Sequence, residues 1–66
     1  MRVKVNGELK ECADSLSVFD ALKSFNMPLA TIIVEYNGKI LLRAEWVSIT
    51  LRDNDSLEVV HFIGGG

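Results

Sequence analysis

The chain has one cysteine, one histidine and one proline in 66 residues. A single cysteine, Cys12, excludes an internal disulfide. One Cys and one His together cannot supply the usual ligand set of a structural zinc site. Aromatic residues make up 8% of the chain, and no apolar run approaches the ~20 residues of a membrane span. Excess positive charge is also missing. The formal net charge is −2, which argues against nucleic acid and anionic membrane surfaces as partners. The opening stretch MRVKVNGELK alternates apolar and polar residues and lacks a signal-peptide core, so a cytoplasmic location is expected.

What is present is an ordinary globular balance, 48% hydrophobic and 24% charged. The length permits one domain, and a chain this short buries only ~60% of the surface its unfolded form exposes. That leaves little room for a deep pocket with its own catalytic constellation. His61 is alone, the serines have no base placed by the sequence, and the acidic residues are scattered along solvent faces. Cys12 reads as a small buried apolar residue.

MRVKV has strand periodicity, with Met1, Val3 and Val5 on one face and Arg2 and Lys4 on the other. Asn6-Gly7 marks a hairpin turn. ELKEC returns as a charged edge strand, with Leu9 expected to point inward. Val18, Ala21, Leu22 and Phe25 recur at helical spacing, Ser17 and Asp20 resemble a capping box, and Asn26 with Pro28 ends the helix. TIIVEY is a β-branched strand, Asn37-Gly38 a second hairpin turn, and KILL the return strand. RAEWVSI is expected to form a helical turn or irregular crossing that tucks Trp46 and Val47 against the core. RDNDS is a polar turn in which Asn54 tolerates positive φ.

LEVVHFI is the last strand, expected to lie centrally beside the first because both are apolar enough to be covered. Leu57 and Val59 share its inner face. His61 falls on that side near the rim, as a packing residue. Glu58, Val60 and Phe62 lie on the other side, and Ile33 joins them from the third strand. Apolar side chains that leave the core face and run toward the C-terminal glycines form a contact patch for a partner. The expected architecture is α+β: one mixed sheet of four to five strands with one helix packed on one face.

This order at this length, with Gly65-Gly66 at the end, resembles the β-grasp, ubiquitin-like sulfur carrier proteins, most nearly the ThiS type of thiamin biosynthesis. The resemblance rests on VNGE, SLSVFDALKSF, VEYNGKILLRAEW, the acidic turn before the last strand, and VVHFIGGG. Many such carriers have proline where Leu42 stands before Arg43, and glycine where Asn54 stands between Asp53 and Asp55. The resemblance implies a β-grasp domain over 1–63 and a flexible glycine tail over 64–66. It implies that the chain is a carrier and not an enzyme, and binds no cofactor of its own. An E1-like adenylyltransferase of the ThiF type would use ATP and magnesium to adenylate the carboxylate of Gly66. Gly65 and Gly64 would form the side-chain-free arm. Sulfur from a cysteine desulfurase system would then give a thiocarboxylate, to be passed to a thiazole synthase of the ThiG type. Val60, Phe62, Ile33 and Glu58 would form the docking face. The alternatives are the small subunit of molybdopterin synthase, a carrier for tRNA thiolation, and a β-grasp module with no covalent chemistry.

Overall fold

A computed structural model describes residues 1–62. Residues 63–66 lie outside the described part, so the expected boundary between domain and tail falls there as well. Five strands form one sheet: β1 (Arg2–Val5), β2 (Glu8–Glu11), β3 (Ile32–Tyr36), β4 (Lys39–Ile40) and β5 (Ser56–His61). Their spatial order is β2-β1-β5-β3-β4. β1 and β5 run parallel, and every other neighbouring pair is antiparallel. One helix, α1 (Val18–Ser24), connects the two hairpins in sequence. The last strand is therefore central and beside the first, as the apolar patterns implied. No helix among the described residues is long and apolar enough to cross a membrane.

Alternation builds the core. Val3 and Val5, Ile32 and Val34, and Leu57 and Val59 face the helix side, where Val18, Ala21 and Leu22 meet them. All nine are buried. A helix of seven residues is marginal alone, so packing and end contacts must hold it. Its start is well supplied with acceptors. The Ser17 hydroxyl accepts from Asp20 N–H at 3.0 Å. The carbonyls of Ile49 and Trp46 accept from Val18 and Phe19 N–H, both at 2.9 Å. The crossing segment after β4 thus satisfies helix donors that have no intrahelical partner. Asn26 leaves the helix at φ 58, the left-handed closure read from the sequence.

Four expectations need correction. Leu9 does not point inward but lies on the outer face, 51% exposed. The reason is register: the two-residue turn Asn6-Gly7 pairs Val5 with Glu8, hence Lys4 with Leu9 and Val3 with Lys10. Lys10 takes the inner position, its ammonium 5.8 Å from the Phe25 ring centroid. Val47 is 65% exposed, while Trp46 beside it is buried. A 3₁₀ turn, Arg43–Glu45, delivers Trp46 to the core and leaves its neighbour facing solvent. The return strand in KILL is only Lys39–Ile40. Cys12 is half-buried against the core, so the fully buried reading was too strong.

Leu42 and Asn54 both occupy special backbone. Leu42 has φ −74, within the range proline imposes, and its N–H donates to a Glu45 carboxylate oxygen at 2.8 Å. Asn54 has φ 70, a value glycine adopts without strain and asparagine tolerates.

The two hairpin asparagines do more than turn the chain. Both have positive φ, 51 at Asn6 and 47 at Asn37. The Asn6 carboxamide oxygen accepts from Val59 N–H at 2.7 Å, and the Asn37 oxygen accepts from Ser56 N–H at 2.9 Å. The turn between β1 and β2 and the turn between β3 and β4 therefore both bond to β5. Asp55, just before β5, joins the second contact. It accepts from Arg52 N–H at 2.8 Å, Tyr36 O–H at 2.9 Å and Asn37 Nδ2–H at 3.2 Å. Partial burial pushes the Asp55 carboxyl up, but these hydrogen bonds outweigh it and hold it below the usual carboxylate range.

Asn6→Gly should keep the turn, since glycine accepts the same φ, yet leave Val59 N–H without its acceptor. An unsatisfied donor of this kind costs about 1–3 kcal/mol. In a domain of this size that lowers the thermal midpoint by roughly 5–20 °C. A calorimetric midpoint equal to wild type would show that the side-chain bond contributes nothing.

Asp55→Asn tests the charge. A carboxylate with a depressed folded pKa stabilises above its unfolded pKa, and that contribution disappears as pH falls through the folded value. The wild type should melt above the variant near neutral pH. The gap should close below about pH 4, where unfolded aspartate protonates. Melting curves across that range check it, and a gap independent of pH would contradict the assignment.

Candidate functional site

The outer face of the sheet, away from α1, is the candidate site. β5 alternates along its length: Leu57 and Val59 point to the core, while Glu58 and Val60 point outward and Phe62, just beyond the strand, continues their side. In register with them, Ile33 stands opposite Val60 and Glu35 opposite Glu58. Ile33, Val60 and Phe62 are 43%, 52% and 41% exposed. The structure thus brings together on one face the four residues singled out from the described part of the sequence, Ile33, Glu58, Val60 and Phe62.

Two further apolar residues share this face. Ile40 stands opposite Glu35 at the β4 edge, and Leu9 stands opposite Lys4 toward the β2 edge. Both could have been found by counting register outward from the Asn-Gly turns, since each turn fixes which residues face each other. The face is mixed in charge. Glu35 and Glu58 are directly opposed, an arrangement that is unfavourable for like charges. Among the described residues neither has a basic partner at salt-bridge distance. Lys4 and Arg2 lie on the same side in β1.

The end of β5 is anchored. Ile32 and His61 form the last paired positions of the β3/β5 ladder, and Phe62 N–H then donates to the Thr31 carbonyl at 3.0 Å. His61 lies on the inner side by alternation but is exposed, not packed. It is the last residue of β5, beyond the buried Leu57 and Val59 of the same face. Gly64, Gly65 and Gly66 follow Phe62 in sequence after Ile63 and lie outside the described residues.

Other candidate chemistry is thin. No group of three or more His, Cys, Asp or Glu side chains among the described residues could hold a metal ion. An open recess of about 360 Å³ is lined by Met1, Arg2, Glu11, Cys12 and Asp53. It lies near the start of β5, where Arg2 N–H bonds to Asp53 at 2.7 Å, and not near Phe62. Burial pushes the Cys12 thiol up, which disfavours the nucleophilic thiolate. The Met1 ammonium bonds to Asp14 at 2.9 Å. That hydrogen bond raises the ammonium pKa and lowers that of Asp14. The recess thus sets the Met1 ammonium, which pairs with Asp14, near a thiol whose ionisation burial disfavours.

Similarity to known proteins follows the same lines. The chain is 34% identical over 65 residues to the sulfur carrier protein ThiS of Bacillus subtilis, covering 97% of this chain and 98% of that one. The crystal structure of the thiamine biosynthesis protein ThiS from Geobacter metallireducens superposes with a TM-score of 0.86 at 35% identity, over the full length of both chains. A thiazole synthase of Paramagnetospirillum magneticum is 32% identical across all of this chain, which corresponds to 20% of the synthase. The sequence profile of the ThiS family matches residues 3–66. With sheet order, helix placement and this match in agreement, the chain belongs to the ThiS family, and its fold is the β-grasp.

Proposed function

We propose that this chain is a sulfur carrier of thiamin biosynthesis and that the carboxyl group of Gly66 carries the sulfur. The observation that carries the reading is the ThiS-family match, which runs through the glycines to residue 66. The near-complete coverage of the Bacillus subtilis carrier supports it.

In this reading the Gly66 carboxylate is activated by an E1-like adenylyltransferase of the ThiF type. A carboxylate is a poor electrophile. Its oxygen attacks the α-phosphorus of ATP, pyrophosphate leaves, and the acyl-adenylate gains AMP as a leaving group. Magnesium and the basic groups that stabilise this transfer belong to the activating enzyme. A persulfide from a cysteine desulfurase system displaces AMP and gives an acyl disulfide. Attack by a further thiol on the distal sulfur releases the thiocarboxylate and leaves a disulfide. What the carrier contributes is access. Gly64, Gly65 and Gly66 have no side chains to obstruct a narrow channel, and three extended residues reach ~10 Å. The reducing cytoplasm, where thiols and persulfides persist, is the compartment this chemistry requires.

The outer face fits docking. Ile33, Val60 and Phe62 offer apolar area next to the start of the glycine segment. The opposed Glu35 and Glu58 would be relieved by a basic group on the partner. A thiazole synthase is the receiving enzyme in this reading. The Paramagnetospirillum magneticum synthase, which contains a stretch similar to this whole chain, supports that choice. Two partners joined in one polypeptide meet at high effective concentration.

Deleting Gly66, or adding one residue after it, should abolish ATP–pyrophosphate exchange by the activating enzyme without altering the fold. The thiocarboxylate form, identified by the mass change of one oxygen-to-sulfur exchange, should support thiazole formation. Full activation of the extended variant without trimming would refute the role of Gly66.

Phe62→Asp should weaken binding to the activating enzyme. The part of Phe62 still exposed is worth about 1–2 kcal/mol when buried, roughly a tenfold change in affinity or more. The thermal midpoint should barely move, whereas Val59→Asp, on the opposite face, should unfold the domain. Unchanged affinity for the folded Phe62→Asp variant, measured by titration calorimetry, would remove this face from the interface.

A further inference from the structure

We infer that Arg43 is a positioning residue for the glycine segment, because its guanidinium holds the turn that anchors Phe62. This rests on the carrier reading above for its consequence, though not for its geometry. Arg43 begins the 3₁₀ turn after β4. One of its terminal nitrogens donates to the Leu29 carbonyl, and the other to those of Ala30 at 3.1 Å and Ile32 at 3.3 Å. These carbonyls flank Thr31, whose own carbonyl accepts from Phe62 N–H at 3.0 Å. Arg43 therefore ties down the backbone on both sides of the acceptor that receives the end of β5.

The guanidinium is itself held. Its central carbon lies 4.8 Å from the ring centroid of Trp46, which is buried. Stacking on an aromatic face orients the planar fork, so that several donors are aimed at once. Among the described residues Arg43 makes no salt bridge. Its bonds are all to backbone carbonyls, which is the pattern of a brace. A continuous line of contacts runs from the core through Trp46 and Arg43 to residues 29–32, and from Thr31 to Phe62.

The reacting carboxyl stands four residues beyond Phe62. A loose origin widens the volume that the carboxyl samples, and misplacement of a reacting group by about 1 Å can lower a rate ~100-fold. Phe62 also belongs to the docking face, so loss of the brace should weaken binding of the carrier as well as turnover. Lysine cannot substitute, since a single ammonium has neither the fork nor the planar stack.

The test uses the full chain with Arg43→Ala and Arg43→Lys. In wild type the amide order parameter of Phe62 should match the strands, near ~0.85, and in Arg43→Ala it should fall below ~0.6. Amides of Val34 and Leu57 should stay rigid, and emission from Trp46, the single tryptophan, should shift. With the activating enzyme, kcat for adenylation should fall roughly ten- to hundredfold, and KM for the carrier should rise as Phe62 loses its fixed place in the docking face. Arg43→Lys should show the same defects. A rigid Phe62 in Arg43→Ala, equal loosening of Val34 and Leu57, full rescue by lysine, or unchanged kcat would each overturn the inference. If wild type itself is not adenylated, the carrier reading fails, and the order parameters still decide whether Arg43 anchors Phe62.

Discussion

β5 has a strand on each side, β1 in parallel and β3 in antiparallel register, and the rest of the fold depends on that double pairing. A parallel neighbour cannot be reached by a tight turn and needs a long connection. Here the whole middle of the chain, helix included, lies between β1 and β5. Each hairpin is local and could form early, but neither alone has a covered face. Insertion of β5 joins them, and its inward residues Leu57 and Val59 complete the core begun by Val3, Val5, Ile32 and Val34. Asn6 and Asn37 reinforce the joint, each bonding through its carboxamide oxygen to a backbone N–H in or at the start of β5.

That arrangement also produces the outer face. Among the described residues no helix covers the outward side of β5. Val60 and Phe62 are exposed by the pleat itself, with Ile33 beside Val60 by register. An apolar row on a small central strand is an aggregation hazard in a protein that works alone. In the proposed carrier role the same row would serve as a contact for partner enzymes. The short β4 and the charged β2 blunt both sheet edges against strand addition.

The site has no chemistry of its own among the described residues, and the physical reasons agree. Burial disfavours the Cys12 thiolate, and the recess beside it lies near the start of β5 and away from Phe62. The described residues supply rigidity up to Phe62. Rigidity comes from groups that serve backbone rather than ligand: Arg43 on three carbonyls, Asp55 on a backbone N–H, a tyrosine and an asparagine.

Much of this was legible in the residues themselves. Period-two alternation marked β1, β3 and β5, helical spacing with Ser17 and Pro28 bounded α1, and Asn-Gly placed both hairpins. The outward row of Glu58, Val60 and Phe62 followed from parity alone. Leu9 was misplaced because its own strand has too few apolar residues to show a face, so only register with β1 decides it. Trp46 and Val47 are adjacent just after the 3₁₀ turn Arg43–Glu45, in a stretch with no period to separate buried from exposed. His61 has inner parity but is the last residue of its strand, and it is exposed. The sequence by itself determined the elements, the turns, the exposed row and the glycine end, because each is a local pattern. Only the tertiary structure decided which side chains reach across it, Asn6 to Val59 and Arg43 to the turn that holds Phe62. Those contacts join residues 53 apart in one case and 11 to 14 in the other, and no local periodicity encodes them.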